Sequence, residues 1–408
     1  NYLINSSSSD TNDYTGLFEG KNVIIIMMES AGEILINPTY YPNFYKMYSE
    51  GYSFTNNYSP RNACSTGNNE FSAITSLYSI YNNCTANIYK DNVYPESLFN
   101  LFNEKGYNTV SMHDYTDAYY YRHIIHPNLG IGKYYGVDEL GIDYENEYKN
   151  WASDEDFASV AMDIMLNNKS DNPFMLWMTT VSSHQPYSVS SITGDQNLSM
   201  FTNTGYSMEI QRYMSKLKIL DNALGILMNR LEADGKLDDT VFVMFGDHYP
   251  YGLPLEEINE VLPYDLSDYE NERTPFAIYT PSLTPTKFSQ YTSYINLTPT
   301  LANLFNLDYD PRLYMGEDIL SDDYKSLVTY ADGSWKNNDV YYNATTAVLK
   351  NYTENNYTNE EIIDINNEIN AKMNMSSLII KNNYFYDLNE KIKIQKQENA
   401  NILADKEE

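Results

Sequence analysis

Two features of the sequence predict an α/β fold with a mainly parallel central sheet flanked by helices, and a third predicts a smaller C-terminal α+β subdomain. Several short runs over residues 21–310 are apolar throughout rather than alternating, as strands buried on both faces of a parallel sheet are. A long helix-period segment separates two of them, the alternation expected of an α/β sheet. After about residue 310 the texture changes to short strand-like stretches and turns followed by one helix.

Taken in order, "NYLINSSSSDTNDYTG" is polar and low in complexity. Residues 1–20 read as a linker from an upstream region, and the start at Asn1 without Met reads as a processed or excised piece. "GKNVIIIMMES" is a β-branched strand closing on Glu29. In "NACSTGNNEFSAITSLY" a Cys-Ser-Thr-Gly run opens a helix-like stretch. Those hydroxyls either cap the helix or hold a nucleophile where free backbone N–H groups converge. "NTVSMHDY" is a strand ending in His113 and Asp114, "NPFMLWMTTVSSH" one leading into His184, and "DTVFVMFGDH" one ending in Asp247 and His248. Before the last, Ile210, Met214, Leu217, Leu220, Leu224, Leu227 and Leu231 keep a helical period until Asp-Gly breaks it. Residues 21–310 are read as the main domain. Residues 311–408 are read as the subdomain, with its helix near "NEEIIDINNEINAKM" and a charged, fraying end.

Composition restricts the partners. A formal net charge of −30, with only 26 Lys and Arg, excludes a nucleic-acid-binding face and disfavours adsorption to an anionic membrane. An anionic lipid substrate would therefore need a bound cation to offset charge locally. No apolar run approaches the roughly 18 residues that span a bilayer. The two cysteines, Cys64 and Cys84, are either separate buried thiols or one disulfide of an exported protein, which would stabilise it by about 3 kcal/mol. The 41 tyrosines fit a biased genome composition, and also a surface that handles sugars or headgroups.

Each apolar strand ends in polar groups, and in open α/β sheets ligands bind beyond those carboxyl ends. Three of the five histidines, His113, His184 and His248, sit there. Glu29, Asp247 and His248 make a hard-to-borderline donor set suited to one divalent cation, Mn²⁺ first, with Mg²⁺ or Zn²⁺ as alternatives. Thr66 is the candidate fourth ligand and nucleophile, because a metal-bound hydroxyl ionises more readily than a free one.

The ordered motifs resemble the sulfatase-like branch of the alkaline phosphatase superfamily, and most specifically the extracellular domain of lipoteichoic acid synthases. The resemblance runs over nearly the whole chain. The Glu closing the first strand matches Glu29, "TGNNEF" matches a motif beginning with the nucleophilic Thr, and "FGDHY" matches the Asp-His pair. "SSHQPY" places a substrate-binding histidine at His184. "MHDYTDAYYYR" is similar to a headgroup-lining segment, which implies roles for His113, Tyr120 and Arg122. "YINLTPTLANLFNL" and "YMGEDIL" resemble the late superfamily signature. This chain departs from the pattern in Gly67-Asn68-Asn69 after the nucleophile, in Tyr120 for the pocket Trp, in Asn296 for a common Asp, and in the Cys64–Cys84 pair.

The resemblance implies transfer of glycerophosphate from phosphatidylglycerol, through a phospho-threonine, to a glycolipid or growing polymer. It further implies an upstream membrane-spanning region that tethers the domain to the outer face of a bacterial membrane, with release after cleavage as a variant. The alternatives are transfer of phosphoethanolamine or another polyol phosphate, hydrolysis of phosphodiesters or sulfates, and a surface-binding domain without activity. The sulfatase formylglycine signature is absent, since Pro60 and Arg61 precede Cys64.

Overall fold

The computed structural model describes residues 11–145, 150–168, 170–267 and 269–388. Residues 1–10 of the expected linker and 389–408 of the charged C-terminal end lie outside the described residues.

The strands of the main sheet are β1 (Asn22–Met28), β2 (Tyr52–Asn57), β3 (Asn108–His113), β4 (Lys133–Tyr135), β5 (Phe174–Thr179), β6 (Thr240–Gly246), β7 (Phe276–Tyr279) and β8 (Thr286–Thr292). Their order across the sheet is β4-β3-β5-β1-β6-β7-β2-β8, and only β7 runs antiparallel to its neighbours. β1 lies between β5 and β6, with Ile25 level with Trp177 on one side and Val243 on the other.

The uninterrupted apolar runs serve two cores. Ile24, Ile26 and Met28 of β1 face one side of the sheet, and Val23, Ile25 and Met27 face the other. A strand covered by helices on both faces has no solvent side, so its sequence shows no polar alternation. Of the covering helices, α1 (Pro42–Glu50), α4 (Asp154–Asn167) and α5 (Met208–Ala233) close the first face. α2 (Ser65–Thr75), α3 (Leu98–Glu104) and α6 (Leu297–Leu304) close the second. The periodic apolar residues of α5 are all buried; Ser207 caps its start, and Gly235 at φ +69° follows its end.

The C-terminal part is an antiparallel sheet of β9 (Val328–Thr329), β10 (Trp335–Lys336), β11 (Val340–Asn343) and β12 (Val348–Asn351), followed by α7 (Asn359–Lys381). A capping box of Thr358 and Glu361 starts α7, which continues past the expected "NEEIIDINNEINAKM" to Lys381. Tyr330 and Tyr341 of this part pack with Tyr58 and Tyr291 of the main domain.

Residues 12–20, expected to belong to a linker, form turns laid against α6. The Gly16 and Phe18 amides donate to the Asn303 and Leu304 carbonyls, both at 2.9 Å, and the buried Phe18 packs on Phe305. The buried Phe18, with Tyr14 edge-on to Tyr52 and Phe288, anchors this short stretch. Among the described residues no helix is long and apolar enough to cross a membrane.

Candidate active site

Parallel strands all deliver their carboxyl ends to one edge, and the polar residues following β1, β3, β5 and β6 meet there. Glu29 leaves β1, and Asp247 and His248 leave β6, the strand hydrogen-bonded to β1. One ligand atom from each of the three lies within 4.8 Å of the others, and all three side chains are buried. His248 Nε2 is 3.4 Å from Asp247 Oδ2 and 3.6 Å from Glu29 Oε1. His248 Nδ1 lies 2.9 Å from the Tyr249 carbonyl, an acceptor only, so Nδ1 carries the proton and the Nε2 lone pair faces the carboxylates. Both carboxylates are supported: Ser30 N and His248 N each donate to Asp247 Oδ1 at 2.7 Å, and Ser30 Oγ donates to Glu29 Oε1, the oxygen facing His248, at 2.7 Å.

Asp247 Oδ2 and His248 Nε2 have no hydrogen-bond partner among the described residues. Burial and the neighbouring Glu29 push the Asp247 carboxyl up to about 7. Burial works against the charged form of His248, but Asp247 and Glu29 outweigh it and raise the imidazole. Crowded buried acceptors aimed at one point fit a divalent cation, which would remove their mutual repulsion.

Thr66, at the start of α2, lies close enough to Asp247 to favour its charged form and, with Glu29, lines a pocket of about 110 Å³. The preceding loop is held in unusual backbone: Arg61 and Cys64 lie at φ +58° and +49°, each costing about 1–3 kcal/mol. Two anchors hold it there. Arg61 donates to Glu272 at 2.5 Å and lies over the Tyr330 ring at 4.4 Å. Cys64 is disulfide-bonded to Cys84, their Cα atoms 5.3 Å apart. Gly67 meets a steric need, since a Cβ there would stand 2.8 Å from Tyr120 Cδ1.

His113, Arg122 and His184 all line the same pocket. Burial, and next the positive Arg122, hold the His113 imidazole down at about 3. Burial holds His184 down at about 4, with nearby His248 adding to the effect. Each Nδ1 donates to a carbonyl, His113 to Thr179 at 2.8 Å and His184 to Gln185 at 2.5 Å, which leaves Nε2 as the unprotonated nitrogen of both neutral rings. Tyr120 packs over Gly67, with the Arg122 guanidinium 5.5 Å from its ring; the neighbouring Tyr119 lines the pocket.

Sequence reasoning missed several supports. Glu70, inside the quoted "TGNNEF" motif, is buried and accepts from Arg122 Nε at 2.8 Å, Thr179 Oγ1 at 2.9 Å and Trp177 Nε1 at 3.1 Å. Burial opposes its charge, but Arg122 wins and holds it below the usual carboxylate range. The available signal was that Glu70 is the one charged residue in "NACSTGNNEFSAITSLY". Trp151, from a segment without periodicity, meets the His184 ring edge to face, their centroids 4.5 Å apart. Lys216 of α5 donates to the His184 carbonyl at 2.6 Å, and burial brings its amine down to about 8.

Comparisons with known proteins assign the chain to a family. The family model described as Sulfatase matches residues 21–307. The lipoteichoic acid synthase of Staphylococcus saprophyticus is 25% identical over 369 residues, covering 84% of this chain and 54% of that protein. The chain thus spans about half the length of the curated relatives it matches. The crystal structure of the lipoteichoic acid synthase LtaP from Listeria monocytogenes superposes with a TM-score of 0.81 at 23% identity, covering 93% of this chain and 97% of that one. The Streptococcus pyogenes phosphoglycerol transferase GacH, in complex with sn-glycerol-1-phosphate, has a TM-score of 0.52 at 16% identity, covering 90% and 87%. The chain belongs to the sulfatase family, and within it is similar to lipoteichoic acid synthases.

Proposed function

We propose that this chain is the catalytic domain of an extracellular phosphoglycerol transferase, moving glycerophosphate from phosphatidylglycerol to a lipoteichoic-acid-type acceptor. The carrying observation is that Thr66 and Glu29, the latter one of the buried Glu29–Asp247–His248 group, line one pocket with His113, His184 and Arg122. Glu29, Thr66, Asp247 and His248 would hold the metal, Mn²⁺ by preference, which supplies charge neutralisation and a lowered pKa for the threonine hydroxyl.

The Thr66 oxygen attacks phosphorus, and the bond from phosphorus to the diacylglycerol oxygen breaks. The threonine proton ends on the departing oxygen, relayed through His184 Nε2, unprotonated at rest. Arg122 Nη2, without a partner among the described residues, takes a phosphate oxygen, and His113 binds beside it. In the second half-reaction an acceptor hydroxyl gives its proton to His184 and attacks the same phosphorus. The Thr66–phosphorus bond then breaks, and the proton returns to threonine. Two in-line displacements retain configuration at phosphorus. Positioning and charge stabilisation carry most of the catalysis.

The domain division follows: residues 21–310 perform the transfer, 311–408 support it, and an upstream membrane region holds the domain at the outer membrane surface. A tether answers the charge of −30, because proximity then needs no electrostatic attraction. The test incubates the metal-loaded protein with labelled phosphatidylglycerol or phosphatidylethanolamine and reads the mass added to Thr66. A glycerophosphate adduct, absent in Thr66→Ala, is expected. A phosphoethanolamine adduct would reassign the donor, and an adduct on another residue would refute the nucleophile.

A further inference from the structure

Beside the pocket, two carboxyl groups face each other. Asp114, adjoining His113 after β3, is 0% exposed, and neither of its oxygens has a donor among the described residues. Asp154, which opens α4, is 1% exposed. Its Oδ1 accepts from the amides of Val181 and Ser182, both at 3.0 Å, while its Oδ2 has no donor. The two side chains lie within hydrogen-bonding reach of each other.

Two ionised carboxylates offer only acceptors, so a bond between them requires a proton on one. Asp154, with two amide donors, is the better place for the negative charge. The proton therefore sits on Asp114, whose O–H donates to Asp154 Oδ2. Burial, and next Asp154, hold the Asp114 carboxyl well above the ordinary range. Among the described residues, His113 and Arg122 are the charged or titratable groups found against Asp114 besides Asp154. His113 Nδ1 is 3.7 Å from Asp114 Oδ1 but donates to the Thr179 carbonyl, and Arg122 is paired with Glu70.

The bond joins the two elements that carry the pocket histidines. Asp114 extends the β3 end that bears His113. Val181 and Ser182 belong to the loop that leads from β5 to His184, and Ser182 Oγ accepts the Asp154 amide at 2.8 Å. We propose that Asp114 and Asp154 are positioning residues: one proton shared between their carboxyls ties the end of β3 to the loop after β5 and so sets the relative placement of His113 and His184. This rests on the proposed role of those histidines in phosphoryl transfer.

Loss of the proton at alkaline pH leaves two buried carboxylates in repulsion and releases the loop. Asp114→Asn keeps a donor that does not titrate, whereas Asp114→Ala keeps none. In the metal-loaded chain, Asp114→Ala is expected to lower kcat for adduct turnover about tenfold to a hundredfold with little change in KM, as a displaced catalytic group does. Asp114→Asn is expected to stay near the wild-type rate at neutral pH and to lose the alkaline fall. Carboxyl ¹³C NMR of the zinc-loaded, aspartate-labelled chain supplies a readout independent of turnover. The resonance that vanishes in Asp114→Asn should have the shift of a neutral acid at neutral pH. An ionised resonance there, a wild-type kcat in Asp114→Ala, or superimposable pH profiles would each overturn the proposal. Failure of every phospholipid to label Thr66 would instead sink the transferase assignment and leave the NMR result to decide the pair.

Discussion

Arg122 donates from Nε to Glu70 Oε2 at 2.8 Å in the interior, while Nη2 of the same guanidinium has no partner among the described residues and the side chain lines the pocket. One edge of the fork is thus fixed by the fold, and the other is left for an anion. Arg122→Lys keeps the charge but not the fork, so kcat/KM should fall by about 1.5–3 kcal/mol, roughly tenfold to a hundredfold, in the donor assay. Glu70→Ala strands a buried guanidinium and should cost about 3–5 kcal/mol in urea unfolding. An unfolding midpoint equal to wild type would refute the interior pairing.

Metal affinity should depend on pH through Asp247. Its carboxyl, held at about 7, is protonated below that pH, and a metal must then displace the proton. Above it the oxygen is already free. Calorimetric titration with Mn²⁺ should show affinity falling roughly tenfold per unit as pH drops below about 7, and levelling off above it. A flat profile would place the metal elsewhere.

Gly67→Ala would set a methyl 2.8 Å from Tyr120 Cδ1, so the ring must move away from the start of α2. The expected cost is about 1–3 kcal/mol of stability, with slower adduct formation on Thr66. Adding Tyr120→Ala should restore the stability lost to the clash, which a double-mutant cycle in urea would reveal.

The Cys64–Cys84 bond closes a segment with a sequence separation of 20 and holds the loop before Thr66. Replacing both with serine should lower stability by about 3 kcal/mol, and should reduce kcat more than metal affinity. Thiol labelling of the native protein checks the premise, since two reactive thiols would contradict the bond.

Much of the sheet was legible in the chain. The runs ending in Glu29, His113 and Asp247 declared themselves because a strand buried on both faces must be apolar until it leaves the sheet, where polar atoms become affordable. β2, β4, β7 and β8 gave no such signal. β2 and β8, "YSFTNN" and "TKFSQYT", are too polar to distinguish from loop, β4 is only three residues long, and β7, "FAIY", is apolar but only four. The packed stretch at 12–20 was equally hidden, because Tyr14 and Phe18 make their contacts with rings far along the chain.

The sequence by itself determined the strand–helix alternation, the helix over Met208–Ala233, and the residue types that end each strand. Those are local properties, written in periodicity and in the cost of burying polar groups. Only the tertiary structure decided which polar groups meet. Glu70 with Arg122, Asp114 with Asp154, and Lys216 with the His184 carbonyl are partners across 30 or more residues. Their protonation and orientation follow from distance and burial in a low-dielectric interior, and neither quantity is encoded in local pattern.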